Sequence, residues 1–306
     1  MNAQQHAYLE HYGDRVSFDP TERRLYGHDI AAIPALIAPL IGDTTPDAVV
    51  QPENERELAD LARWATHERI ALTPRGKATS GYGGVLPINH GIVIDFHHMR
   101  RVLAVDPQAM TVTVEPGITW ERLDMQLREH ELTLRLYPTS YPSSTVGGWL
   151  AQGGAGIGSY EFGYFRENVV AVRLVVPDGL ICELTGDEVD LVSDAEGITG
   201  MISAVTLRVQ PLAHVSVAAL AAPTAKAFTA LVQLLIAAKL PIWSMIFISP
   251  KMAELKSVAP LREHNGHAVE HRIELPHAYI LTLAFRSADA AALYTCLLYT
   301  SPSPRD

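Results

Sequence analysis

Pro74-Arg75-Gly76-Lys77-Ala78-Thr79-Ser80-Gly81-Tyr82-Gly83-Gly84 is the stretch on which the fold turns. Ile70-Ala71-Leu72-Thr73 leads into it and Gly91-Ile92-Val93-Ile94-Asp95-Phe96 follows it; both read as short strands. A strand that empties into glycines and small residues can turn its backbone N–H groups toward one anion, because glycine tolerates positive φ and puts no side chain in the way. Thr79 and Ser80 add hydroxyl donors, Arg75 and Lys77 add charge, and a pyrophosphate is the natural ligand. On these residues alone a plain surface turn stays open as the alternative. The loop is no Walker loop, since Gly-x-x-x-x-Gly-Lys-Ser/Thr is absent. It is no Rossmann turn either, since no Gly-x-Gly-x-x-Gly opens a helix in a βαβ unit.

Upstream, Leu36, Ile37, Leu40 and Ile41 repeat at helical spacing, so residues 1–41 read as a helical lead-in. A linker, Thr44-Thr45-Pro46, precedes a short strand at Ala48-Val49-Val50. Asn54 can cap a helix that runs to about Glu68, with Leu58, Leu61, Ala62 and Ala65 as its buried stripe. Downstream, 102–105 and 110–114 read as a hairpin, and Thr119 caps a helix carrying Leu123 and Leu127. A second Gly/Ser/Pro-rich region spans 137–158. It holds Tyr137-Pro138-Thr139-Ser140, Ser143-Ser144-Thr145-Val146-Gly147-Gly148 and Gly153-Gly154-Ala155-Gly156-Ile157-Gly158-Ser159. Its six glycines between 147 and 158 would let backbone pass close against a flat ligand, or merely make a tight structural crossing. A second hairpin, 169–176 and 180–184, turns on Pro177-Asp178-Gly179. Asp194-Ala195-Glu196-Gly197-Ile198-Thr199-Gly200-Met201-Ile202 runs from a loop into a strand that ends at Val209.

Taken in order, these elements resemble the FAD-binding domain of the vanillyl-alcohol oxidase / p-cresol methylhydroxylase family. Arg75-Gly76-Lys77-Ala78-Thr79-Ser80 is similar to the family's Arg-Gly-Gly-Gly-Thr/His-Ser loop. Thr145-Val146-Gly147-Gly148 is similar to its Thr-Ile/Val-Gly-Gly, and Val176-Pro177-Asp178-Gly179 to its Leu/Val-Pro-Asp-Gly hairpin. Tyr160-Glu161-Phe162-Gly163 through Asn168-Val169, Glu196-Gly197-Ile198-Thr199-Gly200 and Pro46-Asp47-Ala48-Val49-Val50 complete the likeness, which covers about 42–212. The glycolate-oxidase-subunit and D-lactate-dehydrogenase-like branches resemble it most.

The resemblance implies an α+β fold: a two-subdomain FAD-binding domain at 42–212 and a partial cap at 213–293. It implies FAD as cofactor and oxidation of a 2-hydroxy acid or similar alcohol, with hydride passing to the flavin. An electron-acceptor protein or an iron–sulfur subunit is the implied partner. Backbone from Arg75 through Gly76, Lys77, Ala78, Thr79 and Ser80 to Gly81 would hold the pyrophosphate. Pro138, Thr139, Thr145, Gly147, Gly148, Gly154, Ala155, Gly158 and Ser159 would line the flavin and ribityl chain. Glu196, Gly200 and Ile202 would lie beside the adenosine. Members that link FAD covalently through this loop carry histidine where this chain has Thr79, so non-covalent FAD is expected. Lys77 and Ala78 replace two family glycines and are expected at negative φ. Two other classes stay open: a flavin reductase resembling UDP-N-acetylenolpyruvoylglucosamine reductase, which uses NADPH, and a non-catalytic FAD- or nucleotide-binding module.

The remaining sequence sets bounds. A net charge of −10 argues against nucleic acid as the main partner. Cys182 and Cys296 stand far apart, so a disulfide framework is not expected and a reducing, cytoplasmic setting is. No stretch reaches the ~20 apolar residues of a membrane span. His97-His98 reads as a solvated strand end. His267 and His271 could share a helix face and bind a metal, but Gly266 beside them speaks against the helix, and no metal is expected. From Val215 a strand, a helix at 224–238 and strands near 242–248 and 279–284 start a second α+β domain. Leu-Tyr-Thr occurs at 293–295 and again at 298–300 before Ser301-Pro302-Ser303-Pro304-Arg305-Asp306. Residues 294–306 therefore read as a non-native tail on a truncated cap, with little turnover expected and no catalytic residue named.

Overall fold

The computed structural model describes residues 1–31, 33–259, 274–291 and 293, and the backbone of 263–264 and 267–268. Two compact units emerge: Met1–Gly156 with Tyr164–Leu212, and Ile157–Gly163 with the chain from Ala213 onward.

The first unit opens with helix α1 (Ala3–Leu9), where Asn2 and Gln5 form a reciprocal capping box. Strand β1 (Val16–Ser17) and helices α2 (Pro20–Leu25) and α3 (Ala38–Ile41) follow. The helical lead-in expected over 1–41 is thus corrected. β1 pairs antiparallel with β2 (Ala48–Val50), so this segment supplies a strand to the first sheet. The periodic residues behind that expectation are not a packing stripe: Leu36 is 88% and Leu40 85% exposed. Pro39 must sit in the first turn of the helix there, and Gly42 at φ +74° ends it, which leaves four residues.

Helix α4 (Glu55–Glu68) connects β2 to β3 (Leu72–Arg75), and β4 (Ile92–Asp95) inserts between those strands, parallel to both. Asn54 accepts the Glu57 N–H at 3.0 Å and starts α4; Arg69 in the left-handed region ends it. Leu58, Leu61, Ala62 and Ala65 are fully buried, each leucine contributing roughly 2 kcal/mol of transfer free energy. They pack with Leu9, Val50, Ile92 and Ile94 in one core.

The second sheet has the order β5 (Val102–Asp106), β6 (Thr111–Val114), β10 (Met201–Pro211), β8 (Val169–Val175), β9 (Ile181–Thr185). Both expected hairpins lie in it. β7 (Leu132–Leu134), which the sequence did not announce, pairs with the far end of β10. Helix α5 (Trp120–Arg128) precedes β7, and helix α6 (Val146–Gln152) lies inside the second glycine-rich region.

The second unit contains helix α7 (Ser159–Phe162) and an antiparallel sheet in the order β11 (Val215–Ala222), β15 (Tyr279–Arg286), β12 (Ser244–Ile248). Helix α8 (Ala225–Ala237), capped by Thr224, packs Leu235 against Leu281, Leu283 and Phe285. Helix α9 (Pro250–Val258), unexpected from sequence, has a Ser249 cap and proline at its first position. β13 (Glu263–His264) pairs with β14 (His267–Ala268), so His267 stands in a strand and not on a helix, while His271 falls outside the described residues. The expected tail at 294–306 also falls outside them. Among the described residues no helix is long and apolar enough to cross a membrane.

Candidate functional site

The loop after β3 leaves the carboxyl end of a parallel strand, where open α/β sheets place their ligands. A cleft with about 880 Å³ of open space, solvent at its mouth included, lies there. Arg75, Gly76, Lys77, Ala78, Thr79 and Ser80 line it from the first glycine-rich stretch, and Thr145, Gly147 and Gly148 from the second. Glu196, Gly200 and Ile202 line it from the third. Three stretches up to 128 positions apart in sequence therefore converge on one cavity. Gly81, Pro138, Thr139, Gly154 and Ala155 belong to the same unit but are not part of this lining, and Gly158 and Ser159 belong to the second unit.

Several lining residues escaped the sequence. Asp29, Phe96, Pro116, Ser140, Ser144 and Trp149 all face the cleft. Ser140 and Ser144 stood inside the quoted region, and Trp149 directly follows its double glycine. Asp29 had no signal, since it lies in a segment with no motif.

The expectation that Ala78 keeps a negative φ is overturned: its φ is +49°. A β-carbon in that region costs about 1–2 kcal/mol. Ala78 is also buried, so the strain is held in place by packing. Glu196 at φ +50° is a second non-glycine residue of the lining in the left-handed region. Gly147 and Gly148 lie in the first turn of α6, which Thr145 caps through Gly148 N–H at 3.2 Å. A β-carbon at Gly147 would stand 2.5 Å from Cβ of Pro116, and one at Gly76 would strike the Thr145 hydroxyl. These two glycines are thus required by protein packing.

The third stretch ties the other two together. Asp194 N–H and Glu196 N–H donate to the carbonyls of Leu150 and Ala151, at the end of α6, at 3.2 and 2.8 Å. The Asp194 carboxylate lies against Gly153, and the Glu196 carboxylate against Gly84. Burial, and then the Asp194 charge, push the Glu196 carboxyl above its ordinary range.

A bound dinucleotide can be tested against this donor set. Ser80 Oγ is buried in the cleft wall and has no partner among the described residues. Buried hydroxyls are rarely left so, and a phosphate oxygen would satisfy this one. The glycine-rich backbone and Lys77 complete an anion-accepting wall, while Phe96, Val85 and Ile202 give apolar surface for a flat ring. The residues present fit a nucleotide cofactor.

His97 stands just past the end of β4, as the sequence suggested, and is half-buried. Its backbone N–H donates to Asp95 Oδ1 at 3.1 Å, and its ring nitrogen Nδ1 lies 3.3 Å from Lys77 Nζ. Among the described residues no cluster of histidine, cysteine, aspartate and glutamate has metal-binding geometry.

Residues 46–185 match the family described as an FAD binding domain. The mitochondrial D-lactate dehydrogenase [cytochrome] of Arabidopsis thaliana is 33% identical over 183 residues, covering 57% of this chain and 32% of that protein. Glycolate oxidase subunit GlcD of Bacillus subtilis is 30% identical over 178 residues, 54% of this chain and 37% of that protein. Alkyldihydroxyacetonephosphate synthase of Trypanosoma brucei brucei is 30% identical over 184 residues, 56% and 30% respectively. The matches thus span about a third of the length of these relatives. A solved structure of an alkyldihydroxyacetonephosphate synthase superposes with a TM-score of 0.82 at 21% identity, covering 98% of this chain and 62% of that one. At that identity the likeness speaks for the fold.

Proposed function

We propose that this chain, whose residues 46–185 match an FAD binding domain, is the flavin-carrying part of an FAD-linked oxidoreductase of the vanillyl-alcohol oxidase / p-cresol methylhydroxylase type that oxidises a CH–OH group, with a 2-hydroxy acid as substrate class. The observation that carries this reading is the convergence of the two glycine-rich stretches and the 194–202 segment on one cleft. When bound, FAD supplies the hydride acceptor, and the protein's share is binding and orientation. Backbone N–H groups of 76–81 and the Ser80 hydroxyl hold the pyrophosphate. Thr145, Gly147 and Gly148 present the α6 end of the cleft to the flavin side, and Glu196, Gly200 and Ile202 flank the adenosine side. The hydroxy-acid class rests on two relatives, named a D-lactate dehydrogenase and a glycolate oxidase subunit. A third is named a synthase, so this domain serves more than one chemistry. The two cysteines, far apart in sequence, favour a reducing, cytoplasmic setting, and likeness to a glycolate oxidase subunit favours a partner protein or an iron–sulfur subunit as electron acceptor.

Thr79 in place of a linking histidine implies that the cofactor is held without a covalent bond. The purified chain should therefore be yellow, and acid precipitation should release all of its flavin. Fluorescence kept on the denatured band would contradict this. The reaction class is tested by a single anaerobic reduction: D-lactate or glycolate should bleach the bound flavin in one slow turnover, in keeping with the little steady-state turnover expected of a partial cap. Bleaching by NADPH alone would favour a reductase, and no bleaching by any of the three a binding module.

A further inference from the structure

The two cations of the 74–84 loop keep different company. Arg75 Nη1 donates to the carbonyls of Tyr26 and His28 at 3.1 and 2.9 Å, and its guanidinium lies over the Tyr26 ring, 5.1 Å from the centroid. Tyr26 in turn donates its hydroxyl to Asp95 at 2.7 Å. Asp29 is buried; one of its oxygens accepts the Gly83 N–H at 2.8 Å and the other the Ala31 N–H at 2.8 Å. Ile30 N–H donates to the Ser80 carbonyl. Residues 26–31 therefore run along the loop from Arg75 to Gly83, with contacts near its start, middle and end. The Arg75 charge is faced by Asp95 and Asp29.

Lys77 has no such commitment. It is exposed, lines the cleft and makes no ion pair among the described residues; its ammonium lies 3.3 Å from Nδ1 of His97. Burial and the Lys77 charge both lower the His97 pKa, with Asp95 opposing them. A neutral imidazole can accept from the ammonium and hold it in place without neutralising it.

We propose that Lys77 supplies the cationic contact to the pyrophosphate of the dinucleotide, and that Arg75 is a positioning residue that shapes the loop through residues 26–31. The proposal rests on the assignment of this cleft to FAD. The two loop cations thus take separate parts, one touching the ligand and one shaping the loop. Lysine stands where the resembling family has glycine, so this contact belongs to the chain's own sequence. A charge-assisted contact to phosphate is screened by salt, whereas the shaping of a loop by hydrogen bonds to carbonyls is not.

The test is titration of the full chain with FAD, followed by flavin fluorescence at increasing potassium chloride. Wild-type affinity should fall as salt rises. Lys77→Met should weaken binding roughly tenfold at low salt and flatten the salt dependence, and Lys77→Arg should restore both. Arg75→Met should weaken binding and keep the wild-type salt slope. Should that variant fold poorly, Arg75→Lys decides the point: a lysine cannot bond both carbonyls and cover the Tyr26 ring, so affinity drops although the charge is kept. A Lys77→Met chain with wild-type affinity and slope overturns the proposal, as does Arg75→Lys with unchanged affinity. If FAD does not bind the wild-type chain at all, the cofactor assignment falls first and the proposal with it.

Discussion

The two glycine-rich stretches look alike as sequence and behave differently as structure. The first, 74–84, leaves β3 at Arg75 and is a loop from there to Gly84; it has its strained residue at Ala78 and is held from outside by residues 26–31. The second splits at Gln152. Its first half winds into α6, where Gly147 admits Pro116, and its second half uses Gly153, Gly154 and Gly158 at positive φ. Glycine thus serves two unrelated needs here: absence of a side chain where protein meets protein, and access to left-handed backbone. The contrast shows that glycine density marks a crowded place without saying what crowds it.

The sharpest way to break this comparison is Gly147→Val in the cofactor-free chain. Valine at a buried site already in contact with Pro116 should cost about 3 kcal/mol of stability in a urea melt. A variant that unfolds normally and loses only FAD would mean that the ligand, not Pro116, demands the glycine. Ala78→Gly sharpens the other half. Relieving the left-handed alanine should stabilise the chain by about 1 kcal/mol, seen as a higher Tm, and a fall in Tm would contradict the strain. The smallest effect is expected at Glu196, whose carboxylate touches Gly84 of the first stretch while its neighbour Asp194 touches Gly153 of the second. Its pKa is raised on folding, so its favourable share is complete at acid pH and lost as pH rises through the raised value. Glu196→Gln should therefore match wild type in acid and melt slightly higher at neutral pH. An equal offset at both pH values would show that charge is not the cause.

Much of the fold was legible because periodicity and caps agree along the chain. Asn54 with the Leu58–Leu61–Ala62–Ala65 stripe, and the strands flanking Pro177-Asp178-Gly179, needed only local chemistry to be found. The cleft was legible in its glycines, threonine and hydroxyls. What stayed hidden was decided by partners distant in sequence. Asp29 is a site residue because Gly83 comes to it, and β1 is a strand because β2 lies alongside. Conversely, Leu36 and Leu40 repeat at helical spacing yet remain exposed, because helical periodicity describes a face and not what covers it.

β10 gives the molecule a chronology. Met201–Pro211 pairs with β6, β7 and β8, all made earlier on the ribosome, and so is the last strand of its sheet to be synthesised. Until it emerges, β6 and β8 can close only their own hairpins, each with one side unpaired. Every contact that joins the halves of this sheet spans a long stretch of chain, which slows closure and exposes the nascent strands meanwhile. Ribosome-stalled chains ending before residue 201 should thus engage a chaperone, and chains extended past β10 should let it go.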